Sequence, residues 1–213
     1  MSDRSLTPEL MLAAYAAGIF PMAERRDAAD VFWVDPPLRG VLPLDGFRAS
    51  RSLRRRMLRA GLKATLNADF PGVIEGCADR SETWINGTIA ALYAALHRAG
   101  HAHSVEVWDS EALVGGVYGV ALGGAFFGES MFSRATDASK VALACLVDRL
   151  RRSGFTLFDA QFWTPHLASL GAVEITRAAY RTRLAAALQR PVVLDLSPLP
   201  PVQEMAQRMT QTS

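Results

Sequence analysis

Two carboxylates and one amide stand out in this sequence because each lies among apolar residues in a segment typical of a strand. Glu129 lies within residues 126–133, between aromatic side chains, and Asp159 and Gln161 end a second apolar segment. A third polar and apolar segment follows at 166–172. Polar groups at strand ends are held rigidly beside an opening of a sheet, so these residues are candidates for positioning and proton transfer. Taken singly, Asp159 is equally compatible with a loop cap, and Glu129 with an outward-facing strand residue.

Other catalytic motifs are absent from the chain. It has neither a GxxxxGK[ST] phosphate loop nor a GxGxxG dinucleotide turn. Residues 128–132 resemble half of a nucleophile elbow, but the closing glycine is missing, so Ser130 is not predicted to be a nucleophile. His97, His101 and His103 are interrupted by a glycine and have no carboxylate at ligand spacing, so we predict no metal site.

The basic residues are concentrated in one segment. The whole chain has a formal net charge of +2, but residues 46–68 hold seven basic and no acidic side chains. The remaining residues carry a net charge of −5, from 16 basic and 21 acidic side chains. Such asymmetry is typical of a surface that binds a polyanion, although a solvated helix face is an equally good explanation of the charge alone.

The composition indicates an ordinary folded protein in a reducing compartment. The two cysteines, Cys77 and Cys145, are too few and too far apart for a disulfide framework or a zinc site. The N-terminal residues lack the pattern of a signal peptide, and the longest uncharged stretch, 112–128, is too short and glycine-rich for a membrane helix. We therefore expect a cytoplasmic protein that is not bound to a membrane.

The local patterns predict an α+β fold with a mixed sheet. Thr7 and Pro8 mark a helix start, Ser50 can cap a basic helix, and Asp69 and Asp137 can cap two further helices. The predicted helices cover residues 8–17, 50–61, 69–78, 88–100, 137–154 and 177–188. The predicted strands cover 63–67, 103–108, 113–122, 126–132 and 156–159, with short extended pieces between 32 and 42 and near 192. We divide the chain into an N-terminal subdomain, 1–47, a main domain, 48–196, and a loosely ordered tail, 197–213.

The sequence resembles the leucyl/phenylalanyl-tRNA–protein transferases from about residue 6 to 188. Many separate blocks match in one order, which makes the resemblance specific. The matching residues are Tyr15, 18–22, 33–39, 51–52, 73–78, 83–85, 100–108, 113–120, 126, 128–133, 139–140, 159–161 and 166–172.

The resemblance implies an enzyme that transfers leucine, phenylalanine or methionine from aminoacyl-tRNA to proteins with an N-terminal Lys or Arg, and so marks them for N-end-rule degradation. It also implies a GNAT-type N-acyltransferase domain with a mixed, largely antiparallel sheet and flanking helices, after a small abbreviated N-terminal subdomain. An aminoacyl ester is already activated, so no cofactor is expected. A monomer is expected.

The resemblance also implies roles for individual residues. Asp159 would orient and polarise the Gln161 side-chain amide, whose oxygen would accept a proton from the attacking amine, and Glu129 would bind the cationic peptide or place the amine. The implied substrate-binding residues are Trp33 and Trp84 at the terminal adenosine, Val117, Phe126, Leu143, Leu146, Leu150 and Phe158 in an apolar pocket, and Ser130 and Thr164 beside them. The implied tRNA-binding residues are Arg51, Arg54, Arg55 and Arg59, which would contact phosphates without reading bases.

Two other functions would explain parts of the sequence. An acyl-CoA-dependent GNAT acetyltransferase would share the fold, but residues 128–140 contain no R/Q-x-x-G-x-G/A loop for a pyrophosphate. A non-catalytic RNA-binding protein would explain the basic segment but not Glu129, Asp159 and Gln161. The sequence also departs from the family pattern, because Leu146 and Leu150 replace pocket phenylalanines, and Ala160 replaces a cysteine between Asp159 and Gln161.

Overall fold

A computed structural model describes residues 6–28, 30–59 and 61–211 of the chain. Residues 1–5 of the predicted subdomain and 212–213 of the predicted tail lie outside the described residues. The helices are α1 (Pro8–Ala16), α2 (Arg51–Leu58), α3 (Phe70–Ala78), α4 (Gly87–Arg98), α5 (Ala138–Ser153), α6 (Pro165–Ser169), α7 (Arg177–Leu188) and α8 (Val202–Gln211). The strands are β1 (Phe20–Met22), β2 (Phe32–Val34), β3 (Leu38–Val41), β4 (Leu62–Leu66), β5 (Ala102–Asp109), β6 (Ala112–Leu122), β7 (Ala125–Ser133), β8 (Leu157–Gln161) and β9 (Val173–Thr176).

Seven of these strands form one mixed sheet in the order β4-β5-β6-β7-β8-β3-β9, and β1 pairs with β2 separately. Every neighbouring pair in the large sheet is antiparallel except β7 and β8, which are parallel. Helix α5 connects these two strands, as a parallel connection requires a crossover. The predicted α+β fold with a mixed, largely antiparallel sheet is confirmed.

Apolar side chains cover both faces of the sheet. One core contains α5 together with residues of α2 and α8, and the other contains residues of α1, α3, α4 and α7. Several predicted helix starts are confirmed by their caps: the Leu53 amide donates to Ser50 Oγ at 3.1 Å, and the Gly72 amide donates to Asp69 Oδ1 at 3.0 Å. Asp137 does not cap α5, because its backbone is left-handed (φ 63°) and its carboxylate accepts from Lys140 instead.

The structure corrects three further expectations. Strand β3 belongs to the large sheet, between β8 and β9, although the sequence placed it in the N-terminal subdomain 1–47. The tail expected to be loosely ordered contains α8, whose Val202, Met205 and Ala206 are buried in the core with α2 and α5. No strand forms near Val192 within the described part of the chain, whereas β9 and α6 form where none was predicted.

Among residues 6–28, 30–59 and 61–211, no helix has an apolar stretch long enough to cross a membrane.

Candidate active site

The candidate site lies where β7 and β8 separate. Their parallel register runs from Ala125 opposite Leu157 to Phe127 opposite Asp159 and ends there, while β8 continues to pair with β3 on its other side as far as Gln161. The register between β6 and β7 shifts at Glu129, the extra residue of a β-bulge that opposes no residue of β6. A bulge re-aims a side chain and bends its strand, so the two strands diverge at this point and leave room for a substrate between them.

A cleft of about 630 Å³ occupies this opening. Glu129, Gln161 and Thr164 line it together with Trp84 and Ser130, which brings five of the predicted site residues to one place. Thr164 also caps α6, because its hydroxyl accepts from the Leu167 amide at 3.2 Å. The cleft therefore combines carboxylates, an amide, hydroxyls and large aromatic side chains.

Glu129 is held by two tyrosines that the sequence analysis did not assign to the site. The Tyr15 hydroxyl donates to Oε1 at 2.7 Å and the Tyr93 hydroxyl donates to Oε2 at 2.6 Å, while the two hydroxyls lie 2.8 Å apart. Burial raises the pKa of the Glu129 carboxyl to about 7, although these two hydrogen bonds oppose the shift. The carboxyl group can therefore gain or lose a proton near neutral pH, as a general acid or base must.

Asp159 is fully buried and paired with Arg39, another residue without a predicted role. Arg39 Nε donates to Oδ1 at 2.8 Å and Nη2 donates to Oδ2 at 2.6 Å, and the Tyr180 hydroxyl donates to Oδ2 at 2.7 Å. Phe20 and Tyr180 enclose the guanidinium, whose central carbon lies 4.6 and 4.4 Å from the two ring centres. Burial alone would lower the pKa of Arg39, but the hydrogen bond and charge of Asp159 outweigh it and raise that pKa.

Asp159 contacts the Gln161 backbone, not its side-chain amide. The Gln161 amide N–H donates to Asp159 Oδ1 at 2.8 Å, and Gln161 adopts a left-handed backbone with φ of 62°. Gly40 on β3 permits this turn, because a Cβ atom there would lie 2.5 Å from the Phe162 carbonyl carbon. Asp159 thus fixes the backbone of Gln161, and the expected direct polarisation of its side chain is not what the structure shows.

The Gln161 side chain is buried yet incompletely bonded. Its Nε2 has no hydrogen-bond partner among the described residues, although the side chain lies near enough to Glu129 to lower the pKa of that carboxyl. A buried unpartnered amide nitrogen is costly unless a ligand satisfies it. The Gln161 amide is therefore available to a polar atom of a substrate in the cleft.

A small apolar cavity of about 80 Å³ adjoins the cleft. Val117, Leu143 and Phe158 line it as predicted, with Met131 and Leu167, while Phe126 packs behind Phe158 with ring centres 5.5 Å apart. Leu146 and Leu150 lie in the core and do not line this cavity. They follow Leu143 on the same face of α5, but about 4.5 and 10.5 Å further along the axis, at about 1.5 Å per residue.

The remaining predicted residues lie outside the cleft. Trp33 is on β2 and about one-third exposed, and it is not among the residues that line the cleft. Arg51, Arg55 and Arg59 are exposed on or just after α2, which leaves their guanidinium groups accessible to a polyanion. Arg54 is half-buried and its Nε atom has no partner among the described residues.

Comparison with known proteins decides the family. The family model described as leucyl/phenylalanyl-tRNA protein transferase matches residues 41–185, and the model of its N-terminal domain matches residues 4–37. The chain belongs to the leucyl/phenylalanyl-tRNA protein transferase family. Family members from Roseobacter denitrificans and Ruegeria pomeroyi are 61% and 62% identical, over 98% of this chain and 99% and 100% of theirs. As a member of this enzyme family the chain is an enzyme.

A solved structure shows the same fold at low sequence identity. The match to the crystal structure of FemX covers 79% of this chain and 66% of the FemX chain, with a TM-score of 0.52 and 12% sequence identity. At this identity the match supports the fold alone. The match agrees with the predicted α+β fold with a mixed, largely antiparallel sheet.

Proposed function

We propose that this enzyme transfers leucine, methionine or phenylalanine from aminoacyl-tRNA to the α-amine of proteins that begin with Lys or Arg. The observation that carries the proposal is the arrangement of Glu129 and the unpartnered Gln161 amide nitrogen in one cleft, beside a small apolar cavity. An aminoacyl ester offers an apolar side chain for the cavity, and the acceptor offers a cation for Glu129. The family membership supports the same donor and reaction.

The reaction needs one bond to form and one to break. The acceptor amine attacks the ester carbonyl carbon, the new C–N bond forms, and the C–O bond to the terminal ribose breaks. We propose that Glu129 takes one proton from the acceptor α-ammonium and so frees the nitrogen lone pair for the attack, because its carboxyl titrates near pH 7 in the cleft. The ribose oxygen leaves with the second proton that the nitrogen loses as the amide forms, and the Gln161 amide donates to the carbonyl oxygen, where negative charge develops.

Asp159 acts as a positioning residue in this proposal. Its oxygens already accept four hydrogen bonds, from Arg39, Tyr180 and the Gln161 backbone, so its capacity to accept hydrogen bonds is used before a substrate binds. The predicted catalytic group of Asp159, Gln161 and Glu129 therefore divides into one positioning residue and two residues that contact the substrate.

The apolar cavity favours an unbranched or γ-branched aliphatic side chain. Phe158 already fills one wall, and Met131 and Leu167 close the space around about 80 Å³. We propose that leucine and methionine are preferred over phenylalanine, since a second ring would have to displace one of these side chains. Charged side chains would lose their hydration without a partner there.

The exposed arginines of α2 bind the tRNA away from the cleft in this proposal, with Trp84 against the terminal adenosine. The enzyme acts as a monomer in this proposal, because one chain supplies all of the proposed groups. It works in the cytoplasm, and its products enter N-end-rule degradation. The N-terminal subdomain ends near residue 37, before β3, in agreement with the division between the two matched regions.

The proposal is tested by supplying the purified protein with tRNA charged with labelled leucine and a peptide that begins with Lys. Label is expected on the peptide, and the same peptide with an acetylated N-terminus is the matched control that must stay unlabelled. Absence of transfer together with acetylation of the peptide from acetyl-CoA would overturn the proposal.

A further inference from the structure

The cleft carries two guanidinium groups that the proposed reaction does not use. Arg80 follows α3 and Arg134 follows β7, and both line the cleft with exposed side chains. Arg80 Nη2 donates to the backbone carbonyl of Met131. The Arg134 guanidinium lies over the Phe132 ring, 5.1 Å from its centre. Met131 and Phe132, two adjacent residues of β7, thus contact the guanidinium groups of Arg80 and Arg134.

Neither guanidinium forms an ion pair among the described residues, although Asp79 lines the same cleft. In the described part of the chain, no carboxylate lies within ion-pair distance of Arg80 or Arg134, in contrast to Arg39, whose charge is matched by Asp159. A guanidinium group has five N–H donors in a planar fork. The protein uses one nitrogen of each group: Arg80 Nη2 donates to the Met131 carbonyl, and Arg134 Nη1 donates to the Leu113 carbonyl at 3.4 Å. Most of the hydrogen-bonding capacity of the pair is therefore available at the cleft.

Phosphate is the group that best fits two unpaired guanidiniums, because the planar fork donates in parallel to two phosphate oxygens. We infer that Arg80 and Arg134 bind the phosphodiester groups that precede the terminal adenosine of the donor RNA. The inference rests on the proposed function, in which the aminoacyl group enters the apolar cavity and the terminal nucleoside lies in the cleft. The phosphate next to that nucleoside then lies at the rim of the same cleft.

The experiment compares two non-reactive analogues of the donor. One lacks phosphodiester groups, and the other carries the nucleotides and phosphodiester groups that precede the terminal adenosine. One is adenosine with leucine in amide linkage at the 3′ position, and the other is the trinucleotide CCA that ends in the same leucyl nucleoside. Calorimetry measures the binding of both by the wild type, Arg80→Gln, Arg134→Gln and the double variant. Arg183→Gln is the matched control, because Arg183 is exposed on α7 and does not line the cleft.

Each cleft substitution is expected to weaken trinucleotide binding about fivefold to tenfold, because it removes one charge-assisted hydrogen-bond donor. Binding of the leucyl nucleoside should change less than about twofold, and the salt dependence of trinucleotide binding should fall by about 0.7 per arginine. The control should change neither affinity.

Equal weakening of both ligands would overturn the inference, since Arg80 would then only hold its loop against Met131. No weakening of either ligand would overturn it too. If coenzyme A outcompetes the trinucleotide and the substitutions weaken coenzyme A alone, the phosphate does not come from RNA and the assignment fails. A wild type that binds the leucyl nucleoside but gains nothing from the phosphates contradicts this inference without affecting the proposed function, whereas binding of neither donor contradicts both.

Discussion

Arg39 and Asp159, 120 residues apart in the sequence, form a two-pronged ion pair in the core, with N–O distances of 2.8 and 2.6 Å. The arginine comes from β3 and the aspartate from the neighbouring β8, so the pair joins two antiparallel strands at the edge of the cleft. The same aspartate oxygen that accepts from Arg39 Nε accepts from the Gln161 backbone. The ion pair therefore fixes the backbone of Gln161, the residue that we propose presents its side-chain amide to the substrate.

Asp159→Ala is expected to lower the free energy of unfolding by about 3–5 kcal/mol, because it leaves the Arg39 charge buried without a partner. The kcat of transfer should fall below detection, while the Kd for charged tRNA stays within about twofold of the wild type, since the α2 arginines remain intact. Denaturant unfolding, transfer kinetics and tRNA binding measure the three effects.

A double variant separates positioning from stability. Arg39→Met with Asp159→Leu removes both charges, and should recover most of the missing stability, because apolar pairs often replace buried ion pairs without cost. It should not recover kcat, because the Gln161 N–H still lacks its acceptor. Recovered transfer would mean that Asp159 serves only to neutralise Arg39.

Glu129 should make the stability of the protein depend on pH. Its pKa rises from 4.5 in the unfolded chain to about 7 when folded, so the folded state binds the proton more tightly. Its stabilising contribution is fully present below pH 4.5 and is lost as the pH rises through 7. Between pH 5 and 8 the wild type should lose roughly 2.5 kcal/mol relative to Glu129→Gln, by denaturant unfolding of both proteins. An equal stability difference at the two pH values would contradict the raised pKa.

The transfer rate should also depend on the ionisation of Glu129. As a base it must be deprotonated, so kcat/KM for the acceptor peptide should rise with pH through about 7. The peptide α-amine titrates at about pH 8 and contributes a separate limb to the pH profile of kcat/KM. Glu129→Gln should lower kcat/KM about 100-fold and remove the lower limb alone. Persistence of that limb in the variant would assign it to another group.

The arginines of α2 should contribute to tRNA affinity according to their exposure. Replacing Arg51, Arg55 and Arg59 together with Gln should lower the slope of log affinity against log salt by about 0.9 for each phosphate that is no longer neutralised. Transfer at saturating tRNA should be preserved. Arg56→Gln is the control, because Arg56 lies 3.9 Å from Asp109 and is only about one-quarter exposed. An equal effect of the control would disprove a specific tRNA surface on α2.

The apolar cavity can be enlarged on one wall. Leu143→Ala should shift the ratio of phenylalanine to leucine transfer several-fold toward phenylalanine, because it removes a side chain that lines the cavity. Leu146→Ala is the matched control: it is equally buried on α5 but does not line the cavity. Both should cost about 2–5 kcal/mol of stability. The same shift in both variants, measured with mixed charged tRNAs, would show that the cavity does not select the amino acid.

The local features of the fold were predictable from short stretches of sequence. Caps such as Ser50 and Asp69, and the turns between β5, β6 and β7, depend on residues only a few positions apart. Helix α8 escaped prediction because its stability comes from packing, although Val202, Met205 and Ala206 have the spacing of one helix face.

The candidate site also has one part that the sequence predicts and another that depends on tertiary packing. Glu129, Asp159 and Gln161 could be predicted to share one site from the chain alone, because their motifs recur in one order in a known family. Their partners depend on the tertiary fold: Tyr15 and Tyr93 at Glu129, and Arg39 at Asp159, come from distant segments. The fold also determines that Leu143 reaches the cavity whereas Leu146 does not. Burial and hydrogen bonding join residues that are remote along the chain, and no local pattern records which ones meet.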